Sequence, residues 1–185
     1  MTKFSNLEKQ GEKLSVRLHQ RLIGWVLQLI ALLVILFVVH LWQTWDLAKG
    51  VAPPLVAKNL NGELVDLVDH TNWPVLIHFW ATWCPVCGLE SSAINDLSQQ
   101  HSVVTVAMRS GSDRELSDYM RKHELEFTTI NDSEGRLSSA WHVKGVPTSY
   151  IVDKDRNIRF ISVGYTPELT LRFRLWLAEK IWEWH

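Results

Sequence analysis

The sequence predicts an α/β domain built on a mixed sheet flanked by helices. Two observations carry that reading. Short apolar, strand-like runs alternate with segments of helical period, the pattern of a sheet with helices packed on it. The run Val75–Trp80 is rich in β-branched and aromatic residues and has the length of a buried central strand. The 185 residues provide one domain of ordinary size plus an appendage. A domain of that size folds on its buried apolar surface alone, so two cysteines are not needed as scaffolding. With 19 Lys and Arg against 20 Asp and Glu, the balance of charge offers no electrostatic case for nucleic acid.

The appendage comes first. From Leu22 to Val39 the chain is nearly all apolar, with Gln28 the polar exception. A tract of about 20 apolar residues has the reach of a bilayer's hydrocarbon core. Trp25 falls near one end, and Trp42 and Trp45 near the other, as interfacial aromatics do. The preceding tail carries Lys3, Lys9, Lys13, Arg17 and Arg21 against Glu8 and Glu12. A cleaved signal peptide would have a shorter core and a small-residue cleavage site, whereas His40–Trp45 contains no small residues. The expectation is a cytoplasmic tail over residues 1–21 and an uncleaved transmembrane anchor in the lipid bilayer over 22–45. A linker over 46–54, with Pro53 and Pro54, would lead to a catalytic domain over 55–185. By the positive-inside rule that domain would lie in the periplasm, on a single-pass inner-membrane protein.

Within the domain, Asn61-Gly62 between short alternating segments signals a hairpin. After Val75–Trp80, a helix is expected from Pro85, which suits a first helical turn, with Leu89, Ala93, Ile94 and Leu97 on its inner stripe. Val103–Met108 reads as a strand. Ser112 and Glu115 form a capping box for a helix to His123. A strand over Phe127–Ile130 and a short helix over Glu134–Trp141 follow. Strands over Ser149–Val152 and Ile158–Val163 flank the turn Asp153–Asn157, and a last helix runs over Pro167–Trp184.

Cys84 and Cys87 are the chain's two cysteines, in the stretch Phe79-Trp80-Ala81-Thr82-Trp83-Cys84-Pro85-Val86-Cys87. The attacking species in disulfide exchange is a thiolate, and a helix N-terminus stabilises one through its free N–H groups and dipole. Cys84 stands at that point. Cys87, nearly a turn further in, can attack a mixed disulfide on Cys84. Cys84 is therefore the candidate nucleophile and Cys87 the resolving thiol. A zinc site would need a second pair of ligands at suitable spacing, and the eight histidines are scattered. A static disulfide closing so small a loop would remove little unfolded-state entropy. In Gly145-Val146-Pro147-Thr148, the proline by itself reads as a terminator before a strand.

These two segments resemble the active-site and cis-proline segments of thioredoxin-fold proteins. Within that superfamily the chain resembles the membrane-anchored branch related to TlpA and ResA. Within that branch it is similar to the suppressor for copper sensitivity protein D group of protein disulfide oxidoreductases. The matching segments are Val51–Leu55, Val104–Gly111, Val163–Thr166 and Leu171–Ala178, and the match covers nearly all of residues 51–178.

The resemblance implies a thioredoxin fold with an N-terminal hairpin and a central helix-strand insertion. It implies that Pro147 is cis and faces the cysteines, with Val146 offering its backbone to a bound segment. Trp83, Pro85, Val86, Val146 and Pro147 become candidate substrate-binding residues. Glu90 stands where ResA-like proteins place an acid and, sharing a helix face with Cys87, is the third candidate catalytic residue, as a proton shuttle. A solvated surface acid is the alternative. His78 occupies the place of a buried aspartate of thioredoxins, and a hydrogen-bonded core histidine is favoured there over a catalytic base. Thr148, where the cytochrome c maturation branch carries glutamate, argues against dedicated haem handling.

The expected function is thiol-disulfide exchange with cysteine-containing protein substrates. It would run as a reductase fed by a membrane electron-transfer protein and serve copper or oxidative stress tolerance, with no cofactor and no metal. A copper-binding module using Cys84, Cys87 and a histidine is the alternative. A third reading is an interaction scaffold using Trp176, Trp182 and Trp184, although the simplest place for Trp176 is the core.

Overall fold

The computed structural model describes residues 24–35, 38, 47–70 and 72–182. The chain divides into two compact units, Met1–Trp45 and Asp46–His185. In the first, residues 24–35 are helical, and their large apolar side chains are exposed. The structure corrects the expected single-pass inner-membrane placement: among the described residues no helix is long and apolar enough to cross a membrane. The basic tail, Trp42 and Trp45 lie outside the described residues.

The second unit carries two sheets. Strands β1 (Val56–Lys58) and β2 (Leu64–Asp66) pair antiparallel around Asn61-Gly62. Asn59 organises that turn, its Oδ1 accepting from the Asn61 and Glu63 backbone N–H groups. The main sheet holds β3 (Val75–Trp80), β4 (Ser102–Met108), β5 (Thr129–Asp132), β6 (Thr148–Val152) and β7 (Ile158–Val163), in the order β5-β4-β3-β6-β7. Pairs β3–β4 and β4–β5 are parallel, while β3–β6 and β6–β7 are antiparallel, the mixed sheet expected. All six residues of β3 are buried, as its central place requires.

Alternation along β3 divides the core. Leu76 and Trp80 join one cluster, with Ile94, Leu97, Leu171 and Leu175. Val75, Ile77 and Phe79 join another, with Trp141 and Tyr150. The Phe79, Trp141 and Tyr150 rings pack 5.0 to 5.8 Å apart, and the Tyr150 hydroxyl donates to the Trp141 carbonyl at 2.8 Å. Leu47, Ala48 and Ala52, from the expected linker, are buried in this second cluster.

The helices are α1 (Pro85–Ser98), α2 (Asp113–Lys122), α3 (Arg136–Ala140) and α4 (Glu168–Trp182). The Ser112–Glu115 capping box is present at α2. Helix α3 is shorter than expected, because Gly135 takes a left-handed φ of 74° just before it. The Asp132 carboxylate then accepts from the Leu137 and Ser138 N–H groups. Strand β5 begins two residues later than expected. Phe127 lies ahead of it, packing edge-on against Trp80 at 5.7 Å.

Two residues expected inside point outward, while Ile94 and Leu97 are buried as the stripe on α1 requires. On α1 the buried residues are Cys87, Glu90, Ile94 and Leu97, whereas Leu89 is exposed. Burying Cys87 against the sheet fixes the helix's rotation, and Leu89, two positions on, must point away. On α4 the core residues are Leu171, Leu175 and Ala178, and Trp176 is 51% exposed. The side chain of Trp182, and all of Trp184, lie outside what is described.

Candidate active site

Central strand β3 ends at Trp80, and four residues lead from it to the start of α1 at Pro85. Cys84 is the N-cap of α1, with extended backbone at φ −96° and ψ 108°, and Pro85 occupies the first turn. Cys84 Sγ accepts from the Cys87 backbone N–H at 3.2 Å. The cap sulfur thus sits where the helix presents its unpaired N–H groups, the setting that stabilises a thiolate when the pair is reduced.

Cys84 and Cys87 are joined as a disulfide, with Cα atoms 5.3 Å apart. Both are nearly covered, at 7% and 3% exposure, Cys84 being the more open of the two. Across from them the Val146–Pro147 peptide is cis, and the Val146 carbonyl oxygen lies 3.6 Å from Cys84 Sγ. The backbone on both sides of Pro147 is braced. Gly164 N–H donates to the Pro147 carbonyl at 2.8 Å, and the Thr148 hydroxyl donates to the Gly145 carbonyl at 2.8 Å.

Glu90 is 2% exposed, on the same inward face as Cys87, which removes the surface-acid reading. Its carboxylate accepts from the Thr166 backbone N–H. Burial pushes its pKa up to about 7, against the lowering effect of that hydrogen bond. His78 is buried, with Nδ1 2.9 Å from the Ser149 hydroxyl. Burial holds its pKa down, at about 4, so at neutral pH it is an uncharged, hydrogen-bonded core residue.

The lead-in to the cysteines is held from behind by the turn after β4. Thr82 N–H donates to the Ser110 hydroxyl at 3.1 Å, and the Trp83 indole N–H donates to the Arg109 carbonyl at 3.1 Å. Arg109 itself has φ +47°. Sequence reasoning matched this segment to a family but assigned it no role. Thr166, the partner of Glu90, likewise lies in a matched segment that carries no role by sequence alone. Both contacts run through backbone groups or a small hydroxyl, which carry no signature in a sequence. Trp83, Val86 and Tyr165 are exposed around the pair, an apolar rim.

The model of the AhpC/TSA family matches residues 49–161. The chain belongs to the AhpC/TSA family. A thioredoxin-like protein of Haemophilus influenzae is 35% identical over 136 residues, which are 68% of this chain and 81% of that protein. A thiol-disulfide oxidoreductase ResA of Bacillus thuringiensis is 28% identical, covering 58% of this chain and 64% of its own. Among solved structures, one from Chlorobium tepidum assigned as the thiol:disulfide interchange protein DsbE superposes with a TM-score of 0.64. It is 27% identical and covers 71% of this chain and 98% of its own. Fold and relatives together make the chain a protein disulfide oxidoreductase with the thioredoxin fold.

Proposed function

We propose that the chain reduces disulfides in partner proteins, with Cys84 as nucleophile, Cys87 as resolving thiol and Glu90 as proton shuttle. The observation that carries this reading is the placement of the pair. The two cysteines are at a helix N-cap, with the Val146 carbonyl 3.6 Å from Cys84 Sγ.

In the reduced protein, the Cys84 thiolate attacks one sulfur of the partner disulfide. That bond breaks, a Cys84–partner mixed disulfide forms, and the departing partner thiolate takes up the proton shed by Cys84. Cys87 then passes its proton to Glu90 and attacks Cys84 Sγ. The Cys84–Cys87 disulfide forms, and the second partner sulfur leaves as a thiolate that is protonated in turn. Two electrons and two protons have moved from the pair to the partner. A carboxyl with a pKa of about 7 is populated in both forms near neutrality, which suits it to accept and return that proton.

In this reading Trp83, Pro85, Val86, Val146 and Pro147 hold the partner segment, with the Val146 backbone pairing to it as an added strand. Resemblance to the suppressor for copper sensitivity protein D group supports an upstream membrane electron-supplying protein and a role in copper or oxidative stress tolerance. The copper-binding alternative gains no support, for among the described residues no group of three or more His, Cys, Asp or Glu side chains gathers as a metal site.

Two measurements decide the mechanism. Cys87→Ala should accumulate mixed disulfides through Cys84, and Cys84→Ala should not. A midpoint potential near thioredoxin's, about −270 mV, agrees with a reductase, and one near the −120 mV or so of a strong oxidant reverses the direction. If Glu90→Gln leaves the pH profile of Cys87 reactivity where it was, the shuttle is wrong.

A further inference from the structure

We propose that the outer face of α4 is a second docking surface, on which a helix of the protein substrate lies while its cysteine is bound at Cys84. The proposal rests on the reading of the disulfide as the place where protein substrates are engaged.

Leu169, Phe173 and Trp176 are 78%, 56% and 51% exposed. Their spacing, i, i+4 and i+7, puts them on one stripe of α4, opposite the buried Leu171, Leu175 and Ala178. The Phe173 and Trp176 rings stack on each other, their centroids 5.9 Å apart. Exposed large apolar side chains in such a row mark an interaction site more often than single ones do.

The stripe is continuous with the redox site. Thr166, just ahead of α4, binds Glu90, and Gly164 binds the Pro147 carbonyl. Tyr165 lies between them and is 58% exposed. From there Leu169, Phe173 and Trp176 lead away along α4, whose Arg172 guanidinium reaches Gln100 beyond the far end of α1. Leu169 to Trp176 spans about 10 Å.

The chemistry of the occupant follows from the surface. A helix has no free backbone edge, so α4 cannot add a strand as Val146 can, and it recognises side chains only. A row at helical spacing fits the apolar stripe of a second helix. The three side chains offer on the order of 400 Å² of apolar surface, short of the roughly 800 Å² per partner of a stable interface. A free second copy is therefore poorly held there. A partner already tethered through Cys84 is present at high effective concentration, and a small contact then suffices.

The test uses the full chain and two synthetic peptides that carry the same activated cysteine disulfide. One ends eight residues past the cysteine, and the other continues into a three-turn amphipathic helix with Leu and Phe on one stripe. The wild type should react with the long peptide about tenfold faster in kcat/KM than with the short one. Phe173→Gln combined with Trp176→Gln should abolish that gain and leave the short-peptide rate unchanged. Equal rates for both peptides in the wild type, or a gain that survives the double substitution, overturns the proposal. So does loss, in the double variant alone, of self-association in sedimentation or of binding to phosphatidylcholine–phosphatidylglycerol vesicles, since the stripe then serves a second copy or lipid. If the wild type reacts with neither peptide, the underlying reading of Cys84 as the nucleophile of a reductase fails instead, and the two failures are distinct.

Discussion

Glu90 and His78 are both buried, and their ionisation pulls the fold in opposite directions. The Glu90 pKa rises from 4.5 to about 7, so its neutral form is favoured in the folded state. Its stabilising contribution is complete below about 4.5 and is lost as pH climbs towards 7. The His78 pKa falls from 6.5 to about 4, so the folded state again favours the neutral form. That contribution is complete above 6.5 and is lost as pH falls towards 4. The windows overlap and the slopes oppose each other. Glu90→Gln keeps an acceptor for the Thr166 N–H and removes one of the two slopes. Unfolding free energy of the oxidised variant should rise with pH across the overlap more steeply than wild type, by up to about 1.4 kcal/mol per pH unit. Denaturant titrations from pH 4 to 8 measure the difference directly, because the other titrating groups are common to both proteins. Identical pH dependence would mean that Glu90 is not held neutral by burial.

Helix ends show which parts of an element are legible locally. The α2 cap reads straight from Ser112 and Glu115, and the structure forms both halves, with Ser112 N–H donating to Glu115 Oε2 at 2.8 Å and Glu115 N–H to Ser112 Oγ at 3.3 Å. Ser112→Ala should therefore lower stability by about 1 kcal/mol without altering thiol exchange. A drop of that size in thermal unfolding, with an unchanged exchange rate, is the expected pair of results. The outward turn of Leu89 on α1 and of Trp176 on α4 is not legible in this way. Leu89 and Trp176 are apolar and correctly spaced for a core stripe, and so are Ile94 and Leu175. Helical periodicity identifies that a stripe exists, whereas the docked neighbour selects which one is buried. On α1 that selection comes from Cys87, which must close its disulfide with Cys84 against the sheet.

At the scale of the whole unit, the segment before the hairpin is part of the fold. Ala52 N–H donates to the Arg156 carbonyl at 2.7 Å, and Ile158 N–H to the Gly50 carbonyl at 2.8 Å. Val51 bridges to Asn157, and Leu47 and Ala48 are buried beside Trp141. A chain shortened to start at Leu55 loses all of these. It should be less stable than one starting at Asp46 by about 3 kcal/mol, from the buried Leu47 side chain and the lost packing around Trp141. Urea midpoints of the two chains compare them, and equal midpoints would show that the segment is a mere tether.

The sequence by itself determined the class of the fold, the central strand, the place of the reactive pair and its setting at a helix N-terminus. These follow from composition and spacing within a dozen residues. Only the tertiary structure decided the burial of Glu90, the neutrality of His78, and the outward turn of Leu89 and Trp176. Desolvation is the common reason for the first two, and it depends on what packs over a group from elsewhere in the chain. The choice of face depends on the partner surface, which no local period encodes. The apolar run from Leu22 has the length of a span in sequence, but among the described residues no helix is long and apolar enough to cross a membrane.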